Sequence, residues 1–107
     1  MFAVHDKVHI KLRPGGEWSN SKSGPKNSFE WAELEDYMDL FEHCEILLKK
    51  KLIDEDTFKS IFSYRLQNII ANNTIVGAKL VCEKYYWGDF IKLLKRLNIQ
   101  LPINKVI

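Results

Sequence analysis

The sequence predicts an all-α fold: a helical hairpin over about residues 29–71, extended by one kinked or two short helices over about 74–97 into a small bundle, and preceded by an extended N-terminal arm. Three observations carry that prediction. Apolar residues recur at helical spacing through most of the chain beyond Ser28. Capping residues and breakers (Ser28, Asp54, Asn72-Asn73, Gly88) fall between the periodic stretches. The connections they leave are short, which favours antiparallel neighbours. The chain's 107 residues suit one domain, and its 46% hydrophobic content suits a real core. The expected division is an arm and linker over 1–28, a helical domain over 29–101 and a tail over 102–107.

The arm reads differently from the rest. Val8, Ile10 and Leu12 alternate with His9, Lys11 and Arg13, which is the period of a strand. Pro14-Gly15-Gly16 then makes a turn, Trp18 follows, and residues 19–28 read as a flexible polar linker. The first helix is expected to start at an Ser28 N-cap and run to about Lys50. Trp31, Leu34, Tyr37, Met38, Phe41, Cys44 and Leu48 fall on one face, and Glu35, Asp36 and Asp39 on the other. Leu52-Ile53 turns the chain and Asp54 caps a second helix over about 55–71, with Phe58, Ile61, Phe62, Leu66, Ile69 and Ile70 as its stripe. Asn73 or Thr74 caps a third, carrying Ile75, Val76, Leu80 and Val81. Gly88-Asp89 interrupts it, and Phe90 to Leu97 closes the domain before Pro102.

Charge is sorted along the chain. Glu30 to Glu45 holds seven acids and no Lys or Arg, whereas Thr57 to the end holds eight bases and two acids. The net charge of +2 conceals this split. The two halves either neutralise each other within the fold or present opposite faces to partners. Two charges also break the apolar stripes: Glu45 on the first helix and Arg65 on the second, with Glu42 at the edge. An antiparallel hairpin turning near Leu52 brings Arg65 close to Phe41 and Glu42. We therefore expect a structural ion pair of Arg65 with Glu42 or Glu45.

The candidate partner-binding surface comprises the arm, with Arg13 and Trp18, and an aromatic–basic patch of Tyr86, Trp87, Lys92 and Arg96. Interleaved bases and aromatics can stack nucleobases and hold phosphates. His5 and His9 lie four apart, but on a strand they are ~13 Å apart and make a poor metal pair. His43 and Cys44 are helix neighbours pointing about 100° apart, which does not suit a catalytic pair. Pro14-Gly15-Gly16 lacks the Gly-Lys-Ser/Thr ending of a phosphate loop. No catalytic, metal-binding or cofactor-binding residues are assigned. The two cysteines read as free thiols, and the absence of a leader or an 18-residue apolar run points to the cytoplasm.

The stretch Leu40-Phe41-Glu42-His43-Cys44-Glu45-Ile46-Leu47-Leu48-Lys49-Lys50-Lys51-Leu52-Ile53-Asp54 resembles the central pattern of an uncharacterised family of small bacterial helical domains. That pattern is a Phe-Glu pair on a helix, an apolar turn and an Ile-Asp start to the next helix, with a later aromatic position and closing helix where Tyr85 to Phe90 stand here. The resemblance covers about residues 31–97. Lys51 occupies a position that is often glycine in that family. Many relatives carry an N-terminal membrane anchor, which is not read here. The resemblance implies a helical fold and assigns no activity. The sequence reads as a non-catalytic protein–protein interaction module, able to form a homodimer. The alternative is a nucleic-acid-binding protein using the basic aromatic half, and the third reading is an enzyme using Glu42, Glu45, Arg65 and His43 in a pocket.

Overall fold

A computed structural model of the chain describes residues 6–19 and 23–101. Met1–His5, residues 20–22 and residues 102–107 lie outside the described residues, and with them His5, part of the expected linker and the expected tail. All regular structure among the described residues is helical: α1 (Asp6–Leu12), α2 (Ser28–Lys49), α3 (Glu55–Ile70), α4 (Asn73–Ile75), a π-helical segment (Val76–Val81) and α5 (Gly88–Arg96). The all-α class expected from periodicity is what the structure shows.

The N-terminal strand is a correction. Residues 6–12 form a helix, with Val8 and Leu12 buried and Ile10 exposed. The alternating 8/10/12 pattern and the helical 8/12 pattern share two residues. Burial against two other helices selects the i, i+4 pair. The Pro-Gly turn after α1 forms as expected. The Gly16 N–H donates to the Arg13 carbonyl at 2.8 Å, and Gly15 takes φ of +90° two places on, which is a type II arrangement. A Cβ on Gly16 would sit 2.2 Å from the Ile10 carbonyl oxygen. That close approach turns the chain back so that Trp18 enters the core, 1% exposed. The segment through Trp18 is therefore part of the domain and not an appended arm.

α2 is capped one residue earlier than expected, by Asn27, whose Oδ1 accepts the Glu30 N–H. At its other end Leu52 N–H reaches the Leu47 carbonyl and Lys51 N–H the Leu48 carbonyl, with Lys51 at φ +61°. This is a Schellman ending, and it sends the chain back along α2. Asp54 caps α3 as expected, accepting from the Thr57 N–H and hydroxyl. α3 ends at Ile70, and two residues on Asn72 Oδ1 accepts the Ile75 N–H to cap α4. The π-helical segment widens the helix by one residue per turn, as in the Cys82 N–H to Gly77 carbonyl bond, and turns Lys79 inward. α5 ends in a second Schellman turn at Asn98, φ +59°.

The closest helix pair is α2 with α5, not α2 with α3. The two run parallel: Glu42 meets Phe90 at the start of α5, and Glu45 meets Arg96 at its end. The core between them and α3 is built on Tyr37, Met38, Phe41, Leu66, Ile69, Trp87, Phe90 and Leu93. Phe41 packs edge-on against both Tyr37 and Phe90.

Candidate functional site: an apolar cleft below the N-terminal helix

Helices α2 and α3 run antiparallel, and α1 lies along the upper part of the groove between them. On the α2 side, Lys7 lies 3.9 Å from Glu33 and Lys11 3.2 Å from Glu30. On the α3 side, Asp6 lies 3.6 Å from Arg65, and the His9 ring meets Tyr64 edge-on with Nε2 3.4 Å from the hydroxyl. Trp18 then delivers its carbonyl to the Asn72 side-chain amide at 2.8 Å. Residues 6 to 11 thus descend in number along α2 from Glu33 to Glu30 while touching α3 at Arg65 and Tyr64, and Trp18 reaches Asn72 beyond the end of α3.

Below α1 the groove is open. Cys44 and Leu47 from α2, Ile53 and Asp54 from the turn, and Thr57, Phe58, Ile61 and Phe62 from α3 line a cleft of about 300 Å³. Its walls are almost wholly apolar. Phe58 and Phe62 pack with ring centroids 5.0 Å apart. The polar groups at its lower end, Asp54 and Thr57, hydrogen-bond to each other, and those bonds hold the Asp54 carboxyl below its ordinary value. Burial pushes the Cys44 thiol up to about 11, so it is protonated and non-nucleophilic at neutral pH. Ile61 is half-exposed at the cleft mouth and Leu52 is exposed below it. The cleft offers shape and apolar surface, with no uncommitted polar group to orient a polar ligand.

The expected site residues do not assemble into one surface. Trp18 and Trp87 are each 1% exposed and belong to the core. Arg96 is structural: it donates from Nε and Nη2 to the two Glu45 carboxylate oxygens and from Nη1 to Glu55. Arg13, Tyr86 and Lys92 stay on the surface, but apart in character. Tyr86, 70% exposed, shares a concavity with Glu35 and Glu83, and Lys92 lies 3.8 Å from Asp89. Interleaved acids thus interrupt the aromatic–basic patch.

The ion-pair expectation is corrected in its partners. Arg65 faces α1 and reaches Asp6 and the Tyr37 hydroxyl, about one helical turn above the expected Phe41–Glu42 level. Glu45 takes Arg96. Glu42 accepts the Phe90 N–H at 3.0 Å and so caps α5, whose own N-cap, Trp87, supplies no side-chain bond. Burial raises the Glu42 carboxyl, partly offset by that bond. The pairing assumed that α3 is the near neighbour of the acid face, whereas α5 is. Glu42 and Glu45 are turned to α5, Arg65 faces Asp6 of α1 and the Tyr37 hydroxyl, and His43 is exposed, so the constellation of the enzyme reading does not come together.

Part of the acidic helix is paired within the fold: Glu33 with Lys7 and Glu30 with Lys11 from α1, Glu35 with Lys79, and Glu45 with Arg96. Lys79 also packs over the Trp31 ring at 5.1 Å. Sequence reasoning missed Asn72, which is 1% exposed and joins three segments through one side chain, capping α4 while donating to the Trp18 and Ser23 carbonyls. It also missed the cleft. Ile61 counted as core because it shares the stripe of Phe58 and Phe62.

Among the described residues no group of three or more His, Cys, Asp or Glu side chains is placed to hold a metal ion, and no helix is long and apolar enough to cross a membrane. Comparison of the chain with protein-family models, with curated proteins and with solved structures finds no match.

Proposed function

We propose that the protein is a small, non-catalytic interaction module that receives the apolar face of a partner's amphipathic helix in the cleft between α2 and α3. The carrying observation is the open apolar cleft lined by Cys44, Leu47, Ile53, Phe58, Ile61 and Phe62. Its α3 wall spans about two helical turns, enough for two or three side chains of a docked helix. Asp36, exposed, and Asp39, half-buried, lie on α2 toward its N-terminal end from the cleft residues Cys44 and Leu47. Burial and the neighbouring Asp36 charge raise the Asp39 carboxyl, a repulsion that a Lys or Arg beside the partner's apolar face relieves. A basic-flanked helix is thus the partner chemistry that fits.

The test places a photo-crosslinking phenylalanine analogue at position 61 or at position 86 of the full chain and irradiates it in host lysate, with and without nuclease. The expected result is a nuclease-resistant protein adduct from position 61, lost in the Asp36→Asn, Asp39→Asn variant at raised salt. Adducts from position 86 alone, or adducts that vanish with nuclease, would overturn the proposal. The second result would promote the nucleic-acid reading, which draws on the grouping of Lys49, Lys50 and Lys92 in a shallow groove between α2 and α5.

A further inference from the structure

The bases of the fold divide into those that an acid of α2 matches and those that none does. Lys7, Lys11, Lys79 and Arg96 each meet a glutamate of α2. Lys49 and Lys50, at the end of α2, form no ion pair among the described residues. We propose that these two lysines and Lys92 of α5 bind a small organic phosphate of two or more negative charges, in the groove between the two helices. This site is separate from the apolar cleft and does not depend on it.

Charge is the first argument. Lys49, Lys50 and Lys92 line the groove together with Glu45, Ile46 and Asp89. Glu45 does not neutralise them, because it is buried and both its oxygens accept from Arg96. Asp89 lies 3.8 Å from Lys92, a contact between exposed side chains that solvent screens. Three ammonium groups therefore face one exposed carboxylate. The negative end of the α2 dipole accounts for Lys49 and Lys50. It does not account for Lys92, which stands within α5 and enters the same groove from the other helix. An anion bridging the helices relieves the repulsion among the three, and lysine is a good point charge for phosphate.

Size and shape are the second argument. The groove holds about 450 Å³, within the range of small-molecule sites. Ile46 precedes Lys49 and Lys50 by three and four residues, so it shares their face of α2, and it is 41% exposed. A bare phosphate ion has no use for that apolar surface, whereas the carbon portion of an ester packs on it. Lys49 also borders a concavity that contains Glu55 and Asp56. Those acids and Asp89 oppose an extended polyanion, so the groove suits one small ester and not a nucleic-acid strand.

The experiment titrates the isotope-labelled full chain with ADP, with pyrophosphate and with a short single-stranded DNA, following amide shifts at physiological salt. The expected result is saturable ADP binding with shifts confined to Ile46, Lys49, Lys50, Lys92 and their neighbours, and weaker binding of pyrophosphate. The double variant Lys49→Gln, Lys50→Gln and the single variant Lys92→Gln should each weaken ADP about tenfold or more, while Lys59→Gln on α3 leaves it unchanged. The same spectra report that each variant is folded. Shifts that do not saturate, or that spread equally to Lys59 and Lys84, overturn the proposal. Pyrophosphate bound as tightly as ADP overturns the ester and leaves a bare attraction for anions. DNA bound more tightly than ADP at the same amides, with a steep loss in salt, overturns it in favour of nucleic acid. The groove and the cleft share no residue, so the position-61 adducts test the docking site separately.

Discussion

Arg96 closes on Glu45 with two charge-assisted hydrogen bonds, Nε to Oε1 at 2.7 Å and Nη2 to Oε2 at 2.9 Å. Glu45 is 3% exposed and sits mid-face on α2, so this pair locks the parallel α2–α5 contact on which the core is built. Removing one partner strands the other. Arg96→Leu is expected to lower stability by ~3–5 kcal/mol in urea denaturation, since the buried carboxylate then lacks a counter-charge. The double variant Glu45→Met, Arg96→Leu should recover most of the loss, because the pair's own net worth is small. An Arg96→Leu chain as stable as the parent would show that α5 is held by its apolar face alone.

Asn72 does for the chain connections what Arg96 does for the helices. Its Oδ1 caps α4, and its amide donates to the Trp18 carbonyl at 2.8 Å and the Ser23 carbonyl at 2.7 Å. Asn72→Ala removes a cap, ~1 kcal/mol, and unpairs two carbonyls in or near the core, for a loss of ~2–4 kcal/mol altogether. Asn72→Asp keeps the cap and loses both donors, so it should fall between parent and alanine variant unless the cost of a buried carboxylate facing two carbonyl oxygens exceeds the value of the cap. Denaturant midpoints of the three chains, with amide exchange at Trp18 reporting the N-terminal segment, measure the division.

These two residues mark how far the sequence can be read. Helix periodicity, the Asp54 cap and the Pro14-Gly15 turn are local, and each appears where the sequence placed it. Glu45 and Arg65 stood out as charges on apolar stripes, and both are indeed drawn into the interior. Which charge meets which was not legible, because that depends on α2 packing closest to α5 rather than to its sequence neighbour α3. The same holds for α1, where the 8/10/12 alternation and the helical 8/12 pair describe the same residues until the groove chooses between them. The cleft has no signature of its own, since it exists only because the seven residues of α1 cover the upper groove and leave the lower part open.

His9 makes the seating of α1 depend on pH. The ring packs on Tyr64, its Nδ1 is buried, and Arg65, which also holds Asp6 and Tyr37, stands beside it. Burial and then the Arg65 charge lower the His9 imidazole from its ordinary 6.5, an effect that Asp6 opposes and Arg13 reinforces. A depressed value means that the seated form binds protons less readily than the free form. The stability it lends is therefore complete above about pH 6.5 and is lost as pH falls through the lower, folded value. Amide exchange at Trp18, whose N–H is bound to the Lys11 carbonyl at 2.7 Å, should quicken from pH 7.5 to 5 relative to amides of α5, after correction for intrinsic rates. His9→Phe should remove that difference. Persistence of the difference in His9→Phe would assign the titration elsewhere.

The turn beneath the cleft carries a removable strain. Lys51 adopts φ +61° at the position of the Schellman ending that favours glycine, and its carbon chain gains nothing visible in return, since the residue is exposed. Asn98 stands at the matching position after α5 with φ +59°, and asparagine tolerates that region far better than lysine. Lys51→Gly should therefore stabilise the chain by ~0.5–1 kcal/mol, whereas Asn98→Gly should change it by only a few tenths. Lys51→Ala separates the causes. It removes the same positive charge from the end of α2 while keeping the Cβ, so it should fail to stabilise. Thermal and urea midpoints of the three variants test this. A Lys51→Ala chain as stable as Lys51→Gly would place the effect in the loss of charge beside Lys49 and Lys50 rather than in the backbone.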